Sequence, residues 1–134
     1  MSTTGSDTYK NQAIATMTSE ELMFVLFDEL VKHLMRAEIA LKKENWQMLE
    51  DSAQRSINII QYLNNTLDRQ YSISAELSRL YEYFTYELRR VMIGRRLEPL
   101  THVKEMILDL RETYREAQKN VHEKNMGKAL EQIG

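Results

Sequence analysis

The sequence predicts an all-α protein, an antiparallel up-down-up-down four-helix bundle with a flexible N-terminal segment. Three observations carry that expectation. Apolar residues recur at alternating spacings of four and three along four successive segments, which sets them on one stripe of a helix. The 134 residues include only four glycines and one proline, both of which break helix interiors. No segment alternates in steps of two, the period of a half-buried strand.

Residues 1–17 open with Ser2, Thr3, Thr4, Gly5, Ser6 and Asp7, a stretch too polar to bury a face. They are expected to form a flexible segment able to cover a groove. The bundle is expected over residues 18–124. Its first helix, about Glu20 to Lys43, carries Met23, Phe27, Leu30, Leu34, Ala37 and Leu41 on one stripe. Thr18-Ser19-Glu20-Glu21 reads as a capping box at its start. The second, about Trp46 to Gln70, carries Leu49, Ala53, Ser56, Ile60, Leu63 and Leu67, with Asn45 as N-cap. The third, about Ser74 to Arg95, carries Leu77, Tyr81, Phe84, Leu88 and Val91, and Tyr71-Ser72-Ile73-Ser74 supplies hydroxyl caps. The fourth, about Pro99 to Lys124, carries Val103, Ile107, Leu110, Tyr114, Ala117 and Val121. Pro99 suits the first helical position. Residues 125–134 are expected to fray. Short loops between helices of similar length force antiparallel neighbours.

The stripes leave apolar residues over. The first helix also carries Leu22, Phe24, Val25, Leu26, Val31 and Met35; the second adds Ile57, Ile59 and Tyr62; the third adds Leu80, Tyr83, Tyr86, Met92 and Ile93. Leu26 and Leu80 only widen the buried arc. Phe24, Ile59, Tyr83 and Tyr86 are harder to place inside. Such a surplus marks a partner surface, or packs in the core and under the N-terminal segment.

Chemistry is hard to find. Without cysteine there is no thiol catalysis, disulfide or Cys-based metal site. Glu-x-x-His motifs of a di-iron bundle are missing, because Leu30, Pro99 and Lys119 precede His33, His102 and His122 at that spacing. Lone histidines on helices are usually surface or cap residues. There is no glycine-rich phosphate loop and no nucleophile elbow. Asp28-Glu29 and Glu50-Asp51 have no His or Ser partner nearby in sequence. The expectation is therefore no catalytic residue, no metal and no cofactor.

Eighteen Lys and Arg against 20 Asp and Glu give a net charge of −2, without the footprint of a nucleic-acid binder or a polybasic membrane anchor. The longest apolar run, Leu22 to Phe27, falls far short of the ~20 residues of a membrane span. The N-terminus shows no secretory signal. A cytoplasmic protein is expected. Arg89-Arg90 and Arg95-Arg96 form the one basic cluster, read first as a solvated face paired with Glu87 and Glu98 near a helix C-terminus, with a weak contact to an acidic partner as the alternative.

Several segments, taken in order, carry a family resemblance. Tyr9-Lys10-Asn11-Gln12, Thr16-Met17-Thr18-Ser19-Glu20-Glu21-Leu22 and Leu26-Phe27-Asp28 open the series. Ala37 to Leu41, Ile59-Ile60-Gln61-Tyr62-Leu63 with Leu67-Asp68, Glu76-Leu77 with Leu80-Tyr81-Glu82-Tyr83 and Leu88, and Leu110-Arg111-Glu112-Thr113-Tyr114 continue it. Together they resemble the FliS family of flagellin-specific export chaperones, from about Tyr9 to Ala117. Ser19 stands where that family usually has proline, Glu29 where it has glycine and Phe27 where it has tyrosine. Arg69-Gln70-Tyr71-Ser72 replaces its Lys-Gly-Gly linker, and Met92-Ile93 replaces its Ala-Asn.

The resemblance implies a non-enzymatic chaperone that binds the disordered C-terminal segment of flagellin. It would prevent premature polymerisation and aid delivery to the flagellar type III export apparatus. A helical adaptor for another secretion client is the alternative. The resemblance, with the surplus apolar residues, implies client contacts at Tyr9, Leu22, Phe24, Phe27, Asp28, Ile59, Leu63, Leu67, Leu80, Tyr81, Tyr83 and Leu88. Contact with a flagellar export gate component and a homodimer stay open; nucleic acid and membrane insertion are not expected.

Overall fold

The computed structural model describes residues 11, 12 and 16–133. Over those residues four helices follow one another: α1 (Ser19–Lys42), α2 (Trp46–Asn65), α3 (Ile73–Gly94) and α4 (Leu97–Ile133). Among the described residues there is no strand. Each helix packs on two others, α1 on α2 and α4, and α3 on α2 and α4, giving a four-helix bundle.

Local chemistry sets the boundaries. The Thr18 hydroxyl accepts from the Glu21 amide at 3.1 Å, satisfying a free N–H of the first turn of α1. Asn45 does the same for Met48 at 3.1 Å and starts α2. The second helix ends at Asn65 rather than near Gln70. Thr66 Oγ1 donates to the carbonyls of Tyr62 and Leu63 at 3.0 and 3.2 Å, and Arg69 donates to that of Asn64 at 3.2 Å. Side chains thus satisfy carbonyls that further helical turns would have used. Leu67 consequently sits on the α2–α3 connection. Ser72 precedes α3 without a side-chain cap bond. Pro99 is the third residue of α4, still in the first turn, where a missing N–H costs nothing. That helix does not stop near Lys124 but runs to Ile133, with every side chain from Arg115 to Gln132 exposed.

The core follows the predicted stripes. Phe27, Leu30, Leu34 and Ala37 of α1 meet Leu49, Ala53, Ile57, Ile60 and Leu63 of α2, Tyr81, Phe84, Leu88 and Val91 of α3, and Leu100, Val103 and Ile107 of α4. Buried Ala37, Ala40, Ser52, Ala53 and Ser56 keep side chains short where α1 and α2 meet. Polar contacts fix the α1–α4 register: Gln118 to Glu20 at 2.8 Å, Arg111 to Asp28 at 2.5 Å, and Thr101 and Lys104 to Glu38 at 2.8 Å each. Partner numbers rise on α4 as they fall on α1, so the two helices run antiparallel.

Phe24 and Ile59 are half-buried, while Tyr83 and Tyr86 remain exposed. Arg90 pairs with Glu87 at 3.1 Å and Arg96 with Glu98 at 3.6 Å. No helix among the described residues is long and apolar enough to cross a membrane.

Candidate functional site

At the end of the bundle where α1 and α3 begin and α2 finishes, the helices surround a groove of about 550 Å³. Leu22, Met23 and Leu26 of α1 form one wall, and Tyr62 and Leu63 of α2 with Leu67 of the connection form a second. Tyr71 precedes α3 on the connection, and Ile73 and Leu77 begin α3 as the third wall. Tyr71 is 65% exposed and Ile73 56%, so the mouth is apolar yet open to water. Exposed apolar side chains around a concave surface are the mark of a binding site.

The inner end of the groove is aromatic. Tyr81 and Tyr114 line it, Tyr114 packs on Phe27 with ring centres 5.6 Å apart, and Tyr81 meets Phe84 edge-on at 6.4 Å. The two tyrosine hydroxyls lie close enough to influence each other's ionisation. Burial, with the neighbouring Tyr114, pushes the Tyr81 hydroxyl far above the ordinary tyrosine range. Burial also raises that of Tyr114, against the neighbouring Tyr81 hydroxyl, which lowers it. Both rings stay neutral at physiological pH. Charge is confined to the rim, where Glu20 and Asp68 face the opening.

The candidate client residues divide by position. Leu22, Leu63, Leu67 and Tyr81 meet in the groove. Phe27 and Leu88 lie inside the core. Ile59 and Leu80 are half-buried and pack against the core. Phe24 is half-buried, with the Arg115 guanidinium 5.8 Å above its ring. Asp28 is exposed and bound to Arg111, and Tyr83 is an exposed ring beside Phe84. Tyr9, and a cover formed by the N-terminal segment, lie outside the described residues.

The groove also recruits residues missing from that set: Tyr62, Tyr71, Ile73, Leu77 and Tyr114. Leu77 and Tyr114 belong to core stripes and gave no separate signal. Tyr71 and Ile73 did, as two large apolar residues flanking Ser72 where the polar connection meets the start of α3.

Such a surface suits an amphipathic chain, which can lay an apolar face into a groove while its polar face stays wet. Among the described residues, no group of three or more His, Cys, Asp or Glu could hold a metal ion.

Residues 2–121 match the family model described as Flagellar protein FliS. The chain is also 27% identical over 109 residues to the flagellar secretion chaperone FliS of Bacillus subtilis (strain 168), an alignment covering 81% of this chain and 82% of that protein.

Proposed function

Because this chain belongs to the FliS family of flagellar proteins, we propose that it is a flagellar export chaperone whose client is flagellin, held by its C-terminal segment. It binds the client as a disordered monomer, keeps it from polymerising in the cytoplasm and hands it to the flagellar export apparatus. The role is binding rather than catalysis. The observation that carries the reading is the open apolar groove at one end of the bundle, rimmed by Tyr71 and Ile73 and floored by Tyr81 and Tyr114.

The physics of the task favours such a surface. A disordered segment that folds on binding loses a few kcal/mol to ordering, so its site must offer apolar area to compensate. Leu22, Leu63, Leu67 and Tyr81 would take the client's apolar face, and Phe24 would extend the contact along α1. The stiff bundle keeps its own ordering cost low.

Calorimetry with flagellin monomer and with flagellin lacking its C-terminal segment tests the reading. Binding to the intact monomer alone is expected. Equal binding to both, or binding to neither, overturns it.

A further inference from the structure

The groove occupies one pole of the bundle; the other pole carries a second, unlike surface. It is built from the end of α1, the start of α2, the end of α3 and the start of α4. Arg95 ties the end of α3 to the start of α2, its guanidinium lying 4.1 Å above the ring of Trp46. Antiparallel helices of 20 to 24 residues put the two poles roughly 30 Å apart at 1.5 Å per residue.

The poles differ in charge. Residues 40–50 and 89–101, which make the far pole, carry six basic side chains and three acidic ones. Residues 16–24, 62–77 and 111–118, which surround the groove, carry three basic and six acidic. A net charge of −2 therefore conceals a molecule with a positive end and a negative end.

The positive end is also apolar at its centre. Ile93 is 85% exposed, more than any other exposed large hydrophobic side chain among the described residues. Beside it lies a notch of about 220 Å³ lined by Arg90, Val91, Ile93, Gly94, Arg96 and Pro99. Arg90 and Arg96 do contact Glu87 and Glu98, but their side chains remain 55% and 67% exposed. Glu98 is exposed as well, so its pair with Arg96 is worth little and Arg96 can be drawn to a competing carboxylate. Glu87 is nearly buried and keeps Arg90 through Nη1, which leaves the other N–H donors of that guanidinium for a second carboxylate.

We propose that this pole is a docking surface for an acidic segment of a second protein, one that places an apolar side chain in the notch beside Ile93 and its carboxylates on Arg90 and Arg96. A guanidinium fork matches a carboxylate in two parallel hydrogen bonds. The unequal poles steer such a partner away from the groove. A bilayer is better served by a long amphipathic helix lying flat than by the blunt end of a bundle. A nucleic acid would meet the acidic Glu44 and Glu98 and an apolar centre instead of a run of cations. The surface is independent of the client groove, so both can be filled at once.

The probe is a fluorescein-labelled peptide of alternating Glu and Leu, titrated into the full chain and followed by anisotropy. Binding is expected to weaken by about tenfold or more as salt rises from about 0.05 to 0.5 M. It should be lost in Arg90→Glu/Arg96→Glu and weakened in Ile93→Ser, the milder change should the charge reversal disturb folding. Amide shifts should cluster at residues 89–99, and flagellin binding by these variants should match the unmodified chain. No peptide binding, binding indifferent to both variants, or shifts centred on Tyr71 and Ile73 would overturn the proposal. So would capture of phosphatidylserine vesicles, but not the peptide, in a manner that Arg90→Glu/Arg96→Glu abolishes. Because flagellin binding is read separately, its loss in the unmodified chain bears on the groove alone.

Discussion

The ring of Tyr114 lies 5.6 Å from that of Phe27, tilted at 44°, so one residue of α4 both covers the core and finishes the groove. Its other face lines the cavity and its hydroxyl meets that of Tyr81. Tyr114→Ala is expected to cost about 2–4 kcal/mol by leaving Phe27 uncovered and to weaken client binding as well. Tyr114→Phe loses only the hydroxyl contact, about 1 kcal/mol, and should keep the groove's shape. Urea denaturation with client titration separates the two; equal destabilisation by both variants would contradict this packing.

A different outcome is expected at the groove mouth. Tyr71 and Ile73 are more than half exposed, so removing them takes little from the fold while stripping apolar area from the site. Tyr71→Ser/Ile73→Ser should leave the melting temperature within about 2 °C of the parent, as surface changes do. Client affinity should fall roughly tenfold or more, the effect of about 1.4 kcal/mol. Unchanged affinity by calorimetry would move the client elsewhere.

Glu38 is the polar anchor between α1 and α4, accepting from Thr101 and Lys104 at 2.8 Å each, with its side chain only 13% exposed. Glu38→Met should cost about 1.5–3 kcal/mol because it strips Lys104 of its partner. Adding Lys104→Met should return part of that loss. A double-mutant cycle in urea reads the coupling, and additive effects would show the pair to be solvated.

Acid should weaken the fold through His33. Burial lowers its pKa from the ordinary 6.5, with Arg55 and Arg36 acting in the same direction and Glu29 and Asp51 opposing. The unfolded chain therefore takes up this proton more readily than the native one. The stability due to neutral His33 is complete above the unfolded value of 6.5 and drains away as pH falls through the lower folded value. His33→Gln should flatten the dependence of the urea midpoint on pH between about 7 and 5. An unchanged slope would assign the dependence to the carboxylates.

Most of the architecture was legible because burial and periodicity coincide in a bundle. Phe27, Leu30 and Leu34 follow a spacing that only a helix converts into one face. Thr18 and Asn45 announced their helix starts because a cap needs only local geometry. The end of α2 was not legible, since it depends on Thr66 and Arg69 reaching back to specific carbonyls, and Leu67 continues the stripe past the point where the helix stops. The site was only half visible for a related reason. Leu22 and Leu63 follow from pattern, but whether Tyr114 closes the core or opens onto a groove depends on how neighbouring helices are spaced. No single segment encodes that spacing.

The last part of α4 has a thermal consequence. Beyond Gln118, whose side chain still reaches Glu20, every side chain to Gln132 is exposed, and a free helix of that length is marginal in water. What sustains it is the docked portion, which acts as a ready-made nucleus and removes the cost of the first turn. Such a helix unwinds from its free end in small steps instead of melting with the bundle. Warming should erode far-UV ellipticity gradually, well below the transition at which the packed aromatic rings lose their near-UV signal. The molecule thus joins a cooperative solid to a segment that behaves as a peptide, and its two spectra should report different temperatures.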